Sequence, residues 1–377
     1  MNDDLRALFA VTGRFNYLNH AAVSPPPRPT ISAIQSQLQD VAENGSVNFR
    51  DWLATKERVR GLLAGMLGAR AEEVAFVRNT SDALSTVANG IAWRPGDNLV
   101  TFRNEFPSNI YPWLRLRDVL GVEVRMCDER DGRIDLNELI ALIDGKTRLV
   151  AISHVQYASG FRADLERIGR AARSHDALLV VDAIQSLGAV PITVESQLID
   201  IAAGAGHKWL LTPEGVGWLY LSPRARARVE PTLVGWISVP NPDDYANFDQ
   251  GWNVGTLPWE TGTGPISLLH GMEASLKLLT ETGIERIKDH LEMLTDELCG
   301  RLRNTGYQIV SSRAEAEKSQ IVCIRHGGRL SAMDLYAHLK NRNIITAPRG
   351  DRLRIAPHLY NTPEEIEQLC AALPSGF

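Results

Sequence analysis

The stretch 177–208, ALLVVDAIQSLGAVPITVESQLIDIAAGAGHK, contains two short apolar segments that each run into polar residues. The first segment, 177–181, ends at the carboxylate of Asp182. The second, 198–203, passes through a glycine-rich turn and reaches Lys208. Open α/β sheets place their ligand chemistry just past the carboxyl ends of buried strands. The stretch therefore predicts two strands of an α/β sheet, with an acid and a lysine just beyond their ends.

Strand and helix patterns alternate on both sides of this stretch, which predicts a mostly parallel sheet with helices on its faces. We expect about seven strands between residues 73 and 221. They are Glu73–Val77, Asn98–Phe102, Val122–Cys127, Leu149–Ser153, Ala177–Val181, Ile199–Ala203 and Val216–Leu221. The predicted fold class is therefore α/β, with this sheet forming a large domain.

A chain of 377 residues is too long for one ordinary core, so more than one domain is expected. We predict an N-terminal segment at 1–30, in which prolines keep 19–29 extended. The large domain covers 31–264, and a smaller α+β domain with a strand–helix–strand pattern covers 265–377. A long helix at 265–279 is expected to bridge the two domains.

Composition excludes several classes of protein. The net charge of −5 and the lack of basic runs argue against nucleic-acid binding. No window approaches 18 uninterrupted apolar residues, and the first residues lack the apolar core of a signal peptide, so neither a membrane span nor a leader is expected. The four cysteines form no CxxC pair, which argues against a metal site or disulfides and favours a cytoplasmic location.

A second chemical signal lies where the first predicted strand meets a helix, at Asn79, Thr80 and Ser81. Free backbone N–H groups at a helix start, with hydroxyls beside them, form an anion site suited to phosphate. The alternative is that Thr80 or Ser81 is an ordinary helix N-cap. Nucleotide motifs of the GxGxxG and GxxxxGK[ST] types do not occur, which disfavours a dinucleotide or nucleoside triphosphate fold.

Together these residues resemble the class V aminotransferase family, pyridoxal-phosphate (PLP) enzymes of fold type I. The group includes cysteine desulfurases, selenocysteine lyases and isopenicillin-N-epimerase-like proteins. The resemblance runs from Tyr17-Leu18-Asn19-His20-Ala21-Ala22 to Pro357-His358-Leu359-Tyr360-Asn361-Thr362. Its most specific part is Asp182-x-x-Gln185 followed by His207-Lys208.

The resemblance implies roles for the residues at the two strand ends. Lys208 would form the aldimine with the cofactor aldehyde, which requires a primary amine. Asp182 would keep the pyridine nitrogen protonated so that the ring can accept electrons from a carbanion; the alternative is a helix cap at a strand end. Gln185 would donate to the phenolic oxygen of the ring. His207 would lie near the phosphate or the ring, unless it is a packed core histidine.

Further residues match family positions outside this stretch. Thr80 and Ser81 match a pair that grips the cofactor phosphate. Thr263 matches a residue that reaches the phosphate from a neighbouring subunit, which implies a homodimer with shared sites. Arg354 matches the arginine that clamps the substrate α-carboxylate, where a bidentate guanidinium is suited. A surface salt bridge is the alternative role for Arg354, although its neighbours in sequence are apolar.

The chain departs from the desulfurase pattern at several positions. Ala205 replaces a phosphate-binding serine, and Phe106 replaces a ring-stacking histidine, although the alignment there is ambiguous by one residue. Tyr157 replaces an asparagine near the phenolic oxygen, and the adjacent Gln156 is a possible substitute. The segment 346–351, expected to be a short loop, lacks the cysteine that carries a persulfide in desulfurases.

The expected function is that of a PLP enzyme acting at Cα of a small amino acid, with Lys208 also removing the α-proton to give a quinonoid carbanion. An aminotransferase or epimerase is favoured, and loss of a β-substituent remains open. One alternative is a cysteine or selenocysteine lyase without a loop cysteine, and another is a non-catalytic scaffold with this fold. The side chains expected to line the substrate pocket are His20, Phe106, Tyr157, Trp236 and His358.

Overall fold

A computed structural model describes residues 3–375 of the chain. Its α-helices are α1 (Asp3–Ala7), α2 (Arg28–Asn44), α3 (Phe49–Leu67), α4 (Thr80–Gly90), α5 (Tyr111–Leu120), α6 (Leu136–Ala141), α7 (Leu165–Ser174), α8 (Pro223–Arg226), α9 (Ile266–Thr282), α10 (Ile284–Arg301), α11 (Ala332–Lys340) and α12 (Pro363–Ala372). Short 3-10 helices lie at Ala10–Gly13, Ala71–Glu73, Pro107–Asn109 and Leu257–Trp259. No helix in the described part of the chain is both long and apolar enough to cross a membrane.

The β-strands are mostly short. They are β1 (Asn16–Tyr17), β2 (Val74–Val77), β3 (Asn98–Phe102), β4 (Glu123–Cys127), β5 (Glu129–Arg130), β6 (Arg133–Ile134), β7 (Thr147–Ser153), β8 (Leu178–Asp182), β9 (Ile201–Ala205), β10 (Gly217–Leu221), β11 (Tyr307–Ile309), β12 (Val322–His326), β13 (Ile344–Ile345), β14 (Ala347–Arg349) and β15 (Arg352–Ile355).

A seven-stranded sheet in the order β2-β10-β9-β8-β7-β3-β4 forms the centre of the molecule. Six of its strands run in the same direction, and β10 runs antiparallel to both of its neighbours. Every residue of β3, β8, β9 and β10 is buried. Parallel strands covered on both faces have this continuous burial. The predicted mostly parallel seven-stranded sheet is confirmed.

Each face of this sheet has its own apolar core. In β8, Leu179 and Val181 belong to one cluster of buried side chains, and Leu178 and Val180 belong to another. Successive side chains of a strand point to opposite faces, so the two clusters lie on opposite sides of the sheet. The result is a helix–sheet–helix arrangement.

A second sheet, antiparallel and in the order β11-β12-β15-β14, follows near the C-terminus. It contributes Ile324 and Leu353 to a third apolar cluster, which also contains Leu18. The N-terminal segment therefore packs on the C-terminal elements: β1 pairs with β13, and Asn19 forms a bridge with Ala356. The extended stretch ends at the start of α2, at Arg28. The domain boundary near residue 264 stays a prediction.

The helix α10 links the first and third of the apolar cores. The apolar side of α9 lies in the first cluster through Leu269 and Leu276. In α10, Leu291 belongs to the first cluster and Leu298 to the third. The expected role of the helix at 265–279 as a bridge between two domains stays a prediction, because the domain boundary itself is one.

The segment 346–351 is part of a β-hairpin and not the predicted loop. Ala347–Arg349 forms β14 and pairs with β15 in an antiparallel register. Gly350, with a φ of 57°, makes the turn, a conformation that glycine adopts without steric cost. A strand of three residues is too short to give a readable pattern.

Candidate active site

A pocket of about 330 Å³ opens where the central strands end. β8 ends at Asp182, and its parallel neighbour β9 leads within three residues to Lys208. The predicted site residues that line this pocket are Thr80, Ser81, Phe106, Tyr157, Asp182, Gln185, His207, Lys208 and Arg354. The fold therefore brings together most of the residues that the sequence singled out.

Asp182 is buried and has one oxygen without a partner. Its Oδ1 accepts a hydrogen bond from the backbone N–H of Ile184 at 2.9 Å, and its Oδ2 has no partner. Burial raises the pKa of this carboxyl to about 6, against the opposing effects of the Ile184 N–H and of Lys208. An unpartnered carboxylate oxygen that lines a pocket is suited to a cationic ligand atom.

Lys208 is 7% exposed, and its amine faces the same pocket. Burial lowers the pKa of the amine to about 8; Asp182 acts in the opposite direction, whereas Arg354 and Arg349 lower it further. Its Nζ lies 5.2 Å from the centre of the Phe106 ring. A desolvated lysine of this kind is activated as a nucleophile and as a base.

The start of α4 provides the anion site expected from the sequence. Asn79 is the N-cap, since its side-chain oxygen accepts the Asp82 N–H at 2.9 Å, so the alternative of a Thr80 or Ser81 cap is wrong. The Thr80 hydroxyl is buried without a partner, and the Ser81 hydroxyl lies 2.7 Å from that of Ser108. Both hydroxyls therefore remain at a helix N-terminus facing the pocket.

Gln185 and His207 have fixed positions beside the two charged groups. The Gln185 amide donates to the carbonyl of Ala21 at 3.0 Å and accepts from the Trp209 indole at 2.8 Å, so its orientation is set. Burial, aided by the nearby Lys208 amine, lowers the pKa of His207. His207 lines the pocket as a neutral imidazole at neutral pH rather than lying in an apolar core.

Arg354 is 1% exposed and forms no ion pair with any carboxylate of residues 3–375. Its guanidinium donates to the Tyr157 carbonyl at 2.9 Å and to the Asn19 side chain at 3.3 Å, and its Nε has no partner. Burial, with a smaller effect of Arg349, lowers its pKa to about 9. The alternative of a surface salt bridge is therefore wrong, and the group is positioned for a ligand carboxylate.

His20 and His358 were expected to line the substrate pocket, and both lie outside its lining. Each is fully buried, and their rings are 5.1 Å apart. His20 contacts the carbonyl of Ala356 at 2.9 Å and the hydroxyl of Tyr360 at 2.8 Å. Burial lowers the pKa of His358 to about 3. The expectation is corrected, because these side chains turn into the protein behind the pocket.

Three other expected residues also lie away from the pocket lining. Gln156 donates to the buried carboxylate of Glu105 at 2.8 Å. Its side-chain amide is therefore held by Glu105, and Gln156 does not line the pocket. Thr263 lies in a separate cavity with Thr261 and Glu260, and its role towards a neighbouring subunit stays a prediction. Trp236 is 45% exposed on the surface.

Sequence reasoning missed two charged side chains of this region. Arg349 lines the pocket, although its position in the sequence suggested a loop. Glu105 lies beneath Phe106 and accepts the Ser153 backbone N–H at 2.6 Å; burial raises its pKa to about 7. The signal for Glu105 was available, since this charged residue lies three positions after the predicted strand Asn98–Phe102.

The free groups of the pocket fit pyridoxal phosphate. The unpartnered Asp182 oxygen suits a protonated ring nitrogen, and the buried amine of Lys208 suits an aldehyde. The free Thr80 hydroxyl at the start of α4 suits a phosphate, and Phe106 offers an aromatic face. These partners are the ones that the cofactor requires.

Comparison with known proteins agrees with this site. The family model for class V aminotransferases matches residues 16–369. The chain is 31% identical to a probable cysteine desulfurase of Methanothermobacter thermautotrophicus, covering 94% of this chain and 92% of that protein. It is 28% identical to the uncharacterized aminotransferase YcbU of Bacillus subtilis, covering 97% and 95%.

Comparison with a solved structure supports the fold assignment. The apo structure of the cysteine desulfurase from Thermococcus onnurineus matches with a TM-score of 0.87 and 25% identity, over 98% of this chain and 97% of that one. The family match covers most of the chain, from β1 to α12. The chain thus belongs to the class V aminotransferase family and is a PLP-dependent enzyme.

Proposed function

We propose that the protein is a lyase that breaks the bond between Cβ and a sulfur substituent of an amino acid, without a persulfide on the enzyme. The observation that carries the proposal is a pocket with the buried amine of Lys208 and the guanidinium of Arg354 but no thiol. None of the four cysteines, all within the described residues, lines it. Two relatives at 31% and 30% identity are described as probable cysteine desulfurases, which supports sulfur chemistry at Cβ.

Each side chain of the pocket has its own role in the proposed reaction. Arg354 binds the substrate α-carboxylate, and Lys208 takes the proton from Cα. Asp182 holds a positive charge on the ring nitrogen, and the Phe106 ring covers one face of the site. When bound, the cofactor withdraws electrons from Cα of the amino acid that it holds.

The missing thiol favours one of two ways of releasing sulfur. Transfer of sulfur from cysteine to a protein thiol leaves alanine and requires a reactive cysteine in the pocket. The thiols of Cys127 and Cys323 are buried, and burial raises the pKa of each to about 11, so both are protonated at neutral pH. Elimination needs no acceptor: the Cα–H and Cβ–S bonds break, and addition of water gives a thiol, pyruvate and ammonium.

Transamination is the second candidate. Phe106 can stack on a ring but cannot move a proton, so Lys208 must carry protons alone. Proton transfer between two carbons on one face needs only such a single base. The similarity to the uncharacterized aminotransferase of Bacillus subtilis supports this candidate.

The test uses the enzyme loaded with pyridoxal phosphate. We expect an absorbance band near about 410–430 nm that is absent in Lys208→Ala and retained in a control variant at an exposed lysine, Lys146→Ala. With cysteine, the enzyme should release sulfide and pyruvate in equal amounts. Transfer of the amino group to an added keto acid, without sulfide, would establish transamination instead. A protein that takes up no pyridoxal phosphate would overturn both candidates.

A further inference from the structure

The pocket contains a second guanidinium that the proposed chemistry does not use. Arg349 lines the pocket together with Arg354 and Lys208. Its guanidinium donates a hydrogen bond to the carbonyl of its own neighbour, Pro348, at 2.7 Å. Like Arg354, it forms no ion pair with a carboxylate in the described part of the chain.

The hairpin of β14 and β15 places three arginines on one face of the C-terminal sheet. In the antiparallel register Ala347 lies opposite Arg354, and Arg349 lies opposite Arg352. Opposite residues of an antiparallel pair project to the same face, as do residues two apart on one strand. Arg349 and Arg354 are therefore diagonal neighbours whose side chains leave the same side of the sheet.

Arg352 lies on the same face and has a structural role. It forms an ion pair with the buried carboxylate of Glu129 at 2.8 Å. Arg349 and Arg354 have no such acid and point into the pocket instead. Arg354 is fully buried and Arg349 is half-buried. A charge that is removed from water without a partner is costly, so these two guanidiniums beside one pocket indicate anions brought by a ligand.

The charges of the pocket exceed the needs of an ordinary amino acid. Its lining includes one carboxylate, Asp182, against the cations Lys208, Arg349 and Arg354. Asp182 and Lys208 suit the ring nitrogen and the aldehyde of the cofactor, and the start of α4 with Thr80 suits its phosphate. One α-carboxylate satisfies Arg354. The guanidinium of Arg349 remains without an anion.

We propose that Arg349 binds an anionic group on the substrate side chain, so that the substrate is an α-amino acid with a second negative charge. This deepens the proposed function and rests on it. A charged group attached through sulfur, such as a carboxylate or a sulfinate, is the class that the pocket accepts. Neutral amino acids of the same size leave the second guanidinium unpaired and are disfavoured.

The test compares matched pairs of amino acids on the loaded enzyme. S-carboxymethylcysteine and S-carbamoylmethylcysteine differ in one charge and share the same leaving sulfur, and aspartate and asparagine form a second pair. Cysteine sulfinate separates a sulfinate from a carboxylate. Dissociation constants come from the change in the absorbance band. Succinate, which has no amino group to react, is measured by calorimetry.

We expect the charged member of each pair to bind on the order of 10- to 100-fold more tightly than the neutral member. Arg349→Gln should remove this preference and weaken succinate, with little change for the neutral members. Arg349→Lys should keep part of the preference for the charged member. Arg329→Gln, at an exposed arginine in the loop after β12, is the matched control and should behave as the wild type.

Two results would overturn the proposal: no preference for charge in the wild type, or an equal loss for both members of a pair in Arg349→Gln. The second result would make Arg349 a further ligand of the α-carboxylate. If Arg349→Gln fails to fold, the wild-type pairs and Arg349→Lys still decide the matter. Elimination from the neutral member of a pair that is as efficient as elimination from the charged member would contradict this inference alone, whereas the absence of elimination from every substrate would contradict the proposed function.

Discussion

In the protein without its cofactor, Asp182 is an ionisable side chain in a buried position that disfavours its charge. It is 1% exposed, and one of its oxygens has no partner. Burial raises its pKa from the usual 3.8 to about 6. A carboxyl with a raised pKa contributes its full stability below the unfolded-state value of 3.8, and that contribution is lost as the pH rises through about 6.

The first prediction concerns Asp182→Asn in the apoprotein. At pH 7 to 8 the variant should be more stable than the wild type by on the order of 2 kcal/mol, because it avoids a buried charge. The advantage should shrink as the pH falls from about 6 towards 4. Urea unfolding at pH values from about 4 to 8 measures the difference in the free energy of unfolding between the variant and the wild type. Asp243→Asn, at an exposed carboxylate, is the control and should show no such trend. A variant less stable than the wild type at pH 8 would contradict the prediction.

At the scale of elements, the clearest helices and strands were predictable from the sequence. The strand predicted at Asn98–Phe102 is β3, and the helix predicted at 265–279 is α9 (Ile266–Thr282), because each has a regular apolar pattern. β1, β13 and β14 were not predicted. They have two or three residues each, and pairing stabilises them: β1 and β13 pair with each other from opposite ends of the chain, and β14 pairs with β15 in a hairpin.

The same limit applies to the site. Asp182 and Lys208 could be found because they directly follow buried strands. His20 and His358 were misplaced because the sequence does not show which way a side chain turns at the end of an extended segment. Arg349 was missed because its direction depends on the pairing of β14 with β15.

The second prediction concerns the packing of the N-terminal segment on the C-terminal sheet. Leu18 is fully buried in the third apolar cluster, beside residues such as Leu353 and Ile355. Leu18→Ala should lower the free energy of unfolding by about 2–5 kcal/mol, because it leaves a cavity in a closed core. Val23→Ala, at a side chain that is 42% exposed, is the control and should change it by less than about 0.5 kcal/mol. Equal effects of the two variants in urea unfolding would rule out this packing.

At the scale of the whole molecule, the segment between β10 and α9 stands out because many of its apolar side chains belong to none of the three apolar clusters. It exposes a group of apolar side chains: Leu233, Val234, Trp236, Tyr245, Phe248, Trp252 and Val254. Its far end is held firmly, since the buried Glu260 pairs with Lys56 at 2.5 Å and with Arg60 at 2.6 Å. An exposed group of apolar side chains of this kind is typical of an interface.

The last prediction is that two copies of the chain meet at this surface and that Thr263 of one copy serves the pocket of the other. Sedimentation should give twice the chain mass of 41.6 kDa, and Phe248→Asp should shift it towards the monomer. Thr263→Asp should abolish activity, since its carboxylate would repel the cofactor phosphate, whereas Thr261→Asp, at the exposed residue two positions earlier, should remain active. Mixed dimers of Lys208→Ala and Thr263→Asp contain one site with both changes and one with neither. Coexpression should therefore restore roughly a quarter of the wild-type activity, because half of the randomly paired dimers are mixed. If the mixture stays inactive while the dimers form, each chain must build its site alone, and the cavity beside Thr263 has another role.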